Sequence, residues 1–151
     1  MEITDFAMPL TGKLMSIEQV PDEVFSTKAM GDGFAIELAG NDVLAPMEGT
    51  VDSIYPTGHA VMLRLDCGIN VMVHVGLDSY KIAGLNKILV QAGDHVKQGQ
   101  PLVHTDCRKM KAKAASVISP IVFLGGEKVT LLAAVGSEVK AGEMGIVSIS
   151  R

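Results

Sequence analysis

Glycine, proline, asparagine and aspartate interrupt this chain every several residues, and the runs between them are short and rich in valine, isoleucine, leucine and methionine. Such runs are too brief for long amphipathic helices and have the length of strands bounded by tight turns. The pattern predicts strands over Lys13–Ile17, Gly33–Leu38, Asp42–Ala45, Thr50–Tyr55, His59–Leu65, Ile69–His74, Pro101–Thr105, Val117–Val122, Val129–Leu132 and Gly145–Ile149. Helix is expected in two short places. Cys107 to Ala115 carries good helix formers behind Asp106 as N-cap, and Val20–Phe25 offers Pro21 at a first helical position with Asp22 and Glu23 at the positive helix start.

The chain also repeats itself weakly. Met8-Pro-Leu-Thr-Gly-Lys-Leu-Met-Ser-Ile17 resembles Ala45-Pro-Met-Glu-Gly-Thr-Val-Asp-Ser-Ile54, and Gly93-Asp-His-Val-Lys-Gln-Gly99 resembles Gly136-Ser-Glu-Val-Lys-Ala-Gly142. Each Gly-x-x-Val-Lys-x-Gly element reads as a strand stub ending in a glycine turn. The expected fold is therefore all-β, an antiparallel β-sandwich with an internal pseudo-duplication and one or two short helices.

With 151 residues, 48% of them hydrophobic, the chain suits one domain, here 7–151, preceded by a flexible lead over 1–6. No run approaches the roughly 20 apolar residues of a membrane helix, and the start of the chain lacks signal-peptide character, so a soluble cytoplasmic protein is expected without membrane insertion. Cys67 and Cys107 stand alone, without the spacing of a disulfide framework or zinc ribbon. A net charge of −4 and a single basic run, Arg108–Lys113, argue against a nucleic-acid surface.

Function centres on two histidines at the ends of one apparent hairpin, His59 to His74. A tight turn at Asp66 and Cys67 would set Arg64 opposite Ile69, Met62 opposite Val71 and His59 opposite His74, with opposed Cβ atoms roughly 4.5–5.5 Å apart. A lone strand histidine is ordinarily a structural residue. Two adjacent imidazoles can instead act on one phosphoryl group or one metal, as nucleophile and assistant or as joint ligands. His95 and His104 have no partners at useful spacing and read as structural or solvent-exposed.

Several motifs, in order along nearly the whole chain, carry a resemblance. They are Pro9-Leu-Thr-Gly12, Val20-Pro-Asp-Glu-Val-Phe25, Met30-Gly-Asp-Gly-Phe-Ala-Ile36, Ala45-Pro-Met-Glu-Gly-Thr-Val51, Thr57-Gly-His-Ala60, Val73-His-Val-Gly-Leu-Asp78 and Val96-Lys-Gln-Gly-Gln-Pro-Leu102. Together they resemble the glucose-family enzyme IIA domain of the bacterial phosphoenolpyruvate-dependent sugar phosphotransferase system. That resemblance implies an antiparallel β-sandwich and a phosphotransferase component working through a phosphohistidine. It would accept a phosphoryl group from HPr and donate it to a IIB domain of a sugar transporter, supporting uptake and serving regulatory protein targets, with no cofactor.

By the same resemblance His74 is the phosphoryl acceptor, His59 its stabiliser, Thr57 the residue orienting His59, and Asp78 a supporting carboxylate. Val24, Phe25, Ala29, Tyr55 and Met72 fall where the family has an apolar docking ring. Met72 and Tyr55 replace the usual phenylalanine, Glu23 is a charge at an often apolar place, and Ser79–Gln91 is the least family-like segment.

Two rival functions deserve a structural check. His74-Val-Gly-Leu-Asp78 has a metal-ligand spacing, so His59, His74 and Asp78 would serve a zinc-dependent hydrolase, and the imidazoles alone suit opportunistic zinc. The Gly-Asp-His-Val-Lys element and Lys109-Met110 hint at a lipoyl or biotin carrier, but Lys109 follows Arg108 in an expected helix rather than a hairpin turn.

Overall fold

The computed structural model describes residues 2–113 and 116–151. Its strands in chain order are β1 (Glu2–Ile3), β2 (Gly12–Ser16), β3 (Gly33–Leu38), β4 (Asp42–Leu44), β5 (Gly49–Ile54), β6 (Ala60–Leu65) and β7 (Asn70–His74). They continue with β8 (Asn86–Ile88), β9 (His95–Val96), β10 (Pro101–Thr105), β11 (Ile118–Phe123), β12 (Lys128–Leu131), β13 (Glu138–Val139) and β14 (Val147–Ser150). Two short helices, α1 (Glu23–Ser26) and α2 (Cys107–Ala112), join them.

Every pairing between these strands is antiparallel. The main sheet runs β13-β2-β3-β11-β7-β6-β5-β9, with three-stranded sheets β1-β14-β12 and β4-β10-β8 beside it. The antiparallel β-sandwich expected from the short apolar runs is the observed architecture.

The repeats explain the two edges of the main sheet. In one copy Gly12 pairs with Val139, and in the other Gly49 pairs with Val96. Leu14 N–H donates to the Ser137 carbonyl at 2.9 Å, and Val51 N–H donates to Asp94 at 2.9 Å. Gly142 N–H to Met8 and Gly99 N–H to Ala45 are likewise equivalent. Each Gly-x-x-Val-Lys-x-Gly stub thus closes its own copy of the duplicated strand, and the two copies end the sheet symmetrically.

Local departures have local causes. Helix α1 begins after Asp22, not at Pro21, because the Asp22 carboxylate accepts from Val24 N–H at 3.0 Å and that cap needs an extended backbone, φ −154° and ψ 118°. Helix α2 keeps its Asp106 cap, which accepts from Lys109 N–H at 2.9 Å, but ends at Ala112. Its expected last residues, Ala114 and Ala115, lie outside the described residues. The lead expected to be flexible is instead tied down where it is described. Glu2 and Ile3 pair with Ser150 and Ile149, and Phe6 is fully buried with its ring 5.3 Å from Phe123 and 6.2 Å from Phe34. Full burial of such a ring contributes about 3 kcal/mol.

The main sheet buries residues on both of its faces. On one face Leu14, Phe34, Ile36, Val61, Leu63, Val71, Val73, Ile121 and Phe123 join the principal core. On the other face Met15, Ala35, Val122, Met72 and Met62 form a second cluster with Ile17, Val20 and Phe25, so the segment leading into α1 covers this side. Because side chains alternate along β7, His74 shares this second face with Met72.

Candidate phosphoryl-transfer site

The hairpin that carries both histidines is one residue out of the expected register. Met62 faces Met72, Leu63 faces Val71, and His74 faces Ala60, not His59. The connection has three residues, Asp66, Cys67 and Gly68: Gly68 N–H donates to Leu65 at 2.9 Å and Leu65 N–H to Ile69 at 2.8 Å. Gly68, at φ 97°, supplies the left-handed residue that such a loop requires. A sequence signal for this register exists. Val61, Leu63 and Leu65 must share the core face with Val71 and Val73, which only this pairing allows.

The imidazoles meet nonetheless. His59 lies just before β6, opposite Val75, whose N–H donates to the His59 carbonyl at 2.7 Å. Freed from the pleat, its ring reaches to 5.2 Å from that of His74 at an interplanar angle of 74°. Tyr55 and Tyr80 flank His59 at 5.0 and 5.5 Å, and Phe25 packs 5.4 Å from His74.

Hydrogen bonds assign the ring nitrogens. Nδ1 of His74 lies 2.7 Å from the Gly76 carbonyl, which only accepts, so Nδ1 carries the proton and Nε2 keeps its lone pair. Nδ1 of His59 bonds the Thr57 hydroxyl. The Asn86 amide in turn donates to the Thr57 carbonyl at 2.9 Å, tying β8 to the turn before His59.

Burial sets the protonation states. It pushes the His59 pKa below 6.5, helped by the neighbouring His74. It also pushes His74 below 6.5, against the opposing pull of the Gly76 hydrogen bond and the Asp22 and Asp78 carboxylates. Both rings are therefore neutral at pH 7.

Asp78 is exposed and left-handed at φ 59°, a conformation aspartate tolerates better than most residues, and its side chain makes no cap bond to the turn it opens. The negative charge of its carboxylate favours the protonated form of His74. Among the expected docking residues Val24, Ala29 and Tyr55 are exposed, whereas Phe25 and Met72 are 6% and 4% exposed and belong to the second core cluster. Tyr80, Asp22 and Asn86 were not expected at the site, and each comes from a segment whose approach depends on the tertiary fold.

The other histidines do have partners. His95 Nε2 bonds Glu48 at 2.7 Å, and with Asp66 these form an exposed cluster at the opposite end of β6 from His59; His104 bonds Asp42 at 3.2 Å. The carboxylates stand far away in sequence, on strands that pairing brings alongside.

The hydrolase reading lacks a complete ligand set. Among the described residues, His59, His74 and Asp78 do not bring three ligand atoms within 4.8 Å of one another, while a catalytic zinc takes three protein ligands. Lys109 lies in α2, where its ammonium donates to the Ala83 carbonyl at 2.8 Å, so the hairpin placement of a carrier lysine is absent there.

The chain is similar to several known proteins. The glucose-specific EIIA component of Staphylococcus epidermidis is 41% identical over 121 residues, covering 80% of this chain and 73% of that protein. That of Staphylococcus aureus is 43% identical over 116 residues, covering 76% and 70%. The glucose permease IIA structure from Mycoplasma capricolum superposes with a TM-score of 0.84 at 32% identity, over 97% of this chain and 96% of that one. A family model described as phosphoenolpyruvate-dependent sugar phosphotransferase system, EIIA 1, matches residues 4–129, and with these relatives it shows that the chain belongs to that family.

Proposed function

We propose that Nε2 of His74 is the atom through which this phosphotransferase component accepts a phosphoryl group from HPr and yields it to a IIB domain. The chain works as its family does, through a phosphohistidine. The observation that supports His74 is the Nδ1–H bond to Gly76, which leaves an unprotonated Nε2 on a half-buried ring beside a second imidazole.

The step balances without a general base. The Nε2 lone pair forms a bond to phosphorus as the donor N–P bond breaks, and that electron pair returns to the donor imidazole. Nδ1 keeps its proton throughout. The phosphorylated ring gains positive character, which the Gly76 carbonyl and the Asp22 and Asp78 carboxylates stabilise. Charge on the equatorial oxygens of the moving group needs donors. If the Thr57 hydroxyl donates to Nδ1 of His59, the His59 proton sits on Nε2, ready to supply one.

Val24, Ala29, Tyr55 and the adjacent Tyr80 form the exposed part of the docking surface, on the firm base of Phe25 and Met72. Partners that read the phosphorylation state would use the same rim. Among the described residues no helix is long and apolar enough to cross a membrane. The cytoplasm is the proposed compartment, since the partners expected for this carrier chemistry work there and both thiols are free.

Incubation with phosphoenolpyruvate, enzyme I and HPr, followed by peptide mapping at alkaline pH, tests the reading. Label on His74 is expected. Label confined to His59, His95 or His104 would overturn it.

A further inference from the structure

We propose that Ser119 is a positioning residue for phosphoryl transfer: its hydroxyl holds the Gly76 N–H, and by fixing the Gly76 residue it keeps that residue's carbonyl aimed at Nδ1 of His74, in the tautomer whose Nε2 is free to react. The inference rests on the reading of His74 as the acceptor.

Ser119 lies on β11, which pairs with β7 on one side and β3 on the other. The ladder between β7 and β11 reaches Ile121↔Val73 and goes no further towards the active histidine. Beyond that point Pro120 has no N–H to contribute, and the chain after His74 must turn away to present the ring. The Gly76 N–H, buried here, therefore lacks a backbone acceptor in β11. The Ser119 hydroxyl takes that place, accepting from Gly76 N–H at 2.8 Å while donating its own proton to the Val117 carbonyl at 3.0 Å. Ser119 is itself fully buried, so no water competes for these bonds.

The bonds converge on one residue. Val117 fixes the hydroxyl, the hydroxyl holds the Gly76 N–H on the peptide unit before its Cα, and on the unit after it the Gly76 carbonyl accepts Nδ1–H of His74 at 2.7 Å. Gly76 is held from other sides as well. Its backbone is left-handed at φ 70°, and a Cβ there would lie 2.7 Å from the Met110 sulfur and 2.8 Å from the Ser116 carbonyl oxygen. Leu77 N–H donates to that Ser116 carbonyl at 3.0 Å, and the Ser79 hydroxyl bonds the Val75 carbonyl. Of these clamps only Ser119 grips Gly76 itself through a side chain, so it can be altered without touching the backbone path or either histidine.

A purely structural serine and a positioning serine differ in what its removal moves. Ser119→Ala leaves the Gly76 amide unpaired, so the Gly76 residue is held from the Leu77 side alone and its carbonyl points less firmly towards Nδ1. Ser119→Thr keeps the hydroxyl on a residue that suits a strand. Ser119→Cys keeps the volume but offers a weaker acceptor.

Two readouts on the full chain test this: the rate of phosphoryl acceptance from phospho-HPr, and the ¹⁵N shifts of the His74 ring nitrogens. Wild-type protein should show distinct protonated Nδ1 and unprotonated Nε2 signals. In S119A the two shifts should move towards a common value and acceptance should fall about tenfold; S119T should keep the wild-type pattern. S119C should fall between them, and it carries the test if S119A does not fold. Folded S119A or S119C with wild-type nitrogen shifts and a wild-type rate would overturn the inference while label still maps to His74. Label mapping elsewhere in wild-type protein would instead overturn the parent reading.

Discussion

The rings of His59 and His74 lie 5.2 Å apart, although the backbone pairs His74 with Ala60 and His59 with Val75. The contact is made between His74 at the end of β7 and His59 just outside β6, one residue from His74's backbone partner. It depends on what holds each ring: the Thr57 hydroxyl for His59, and the Gly76 carbonyl for His74.

His59→Gln should leave acceptance on His74 largely intact but slow donation to a IIB domain about 100-fold, the scale for losing one donor to developing charge. His74→Gln should abolish acceptance altogether. Transfer of ³²P from phospho-HPr, followed by chase with a IIB domain, separates the two steps.

Acceptance should persist as pH falls below 6.5, where an unperturbed imidazole is already half protonated, because burial holds the His74 pKa below that value. The same sign governs stability. Both histidines bind protons more readily unfolded, so their contribution is complete above about pH 6.5 and is lost as pH falls through the folded pKa values. Urea unfolding from pH 8 to pH 5 should show this loss, and it should shrink in His59→Gln.

Gly76→Ala should destabilise the protein by about 3 kcal/mol, combining a left-handed backbone with contacts to Ser116 and Met110 that cannot relax freely. Its urea midpoint should drop with an unchanged slope. Gly93→Ala, with open space around its Cβ at φ 92°, should lose only the backbone share, about 1 kcal/mol.

Phe25→Ala and Tyr80→Ala should separate packing from docking. Phe25 is buried in the second cluster, so its truncation should cost about 3 kcal/mol of stability. Tyr80 is 49% exposed, so its loss should change stability by about 0.5 kcal/mol or less while weakening HPr binding. Thermal unfolding and titration with HPr distinguish the two.

Much of this molecule is legible along the chain. The short strands follow from apolar runs cut by turn residues, and the repeated Gly-x-x-Val-Lys-x-Gly stubs pair at opposite edges of the main sheet as their likeness implies. The Asp106 cap is local, so it too is readable. The hairpin register demanded one more step, because its loop uses Gly68 as a third residue and only the shared burial of Leu63 with Val71 selects that pairing.

By itself the sequence determined where the main strands lie along the chain, the duplication and the two histidines to watch, since these depend on local periodicity, turn chemistry and motif identity. Tertiary structure alone decided that Tyr80 flanks His59, that Phe25 and Met72 lie beneath the rim, and that Ser119 reaches Gly76 across 43 positions of chain. Those contacts come from different strands and loops brought together by burial. The bond from Nδ1 of His74 to the Gly76 carbonyl then leaves Nε2 of that ring free, a property no linear spacing can specify.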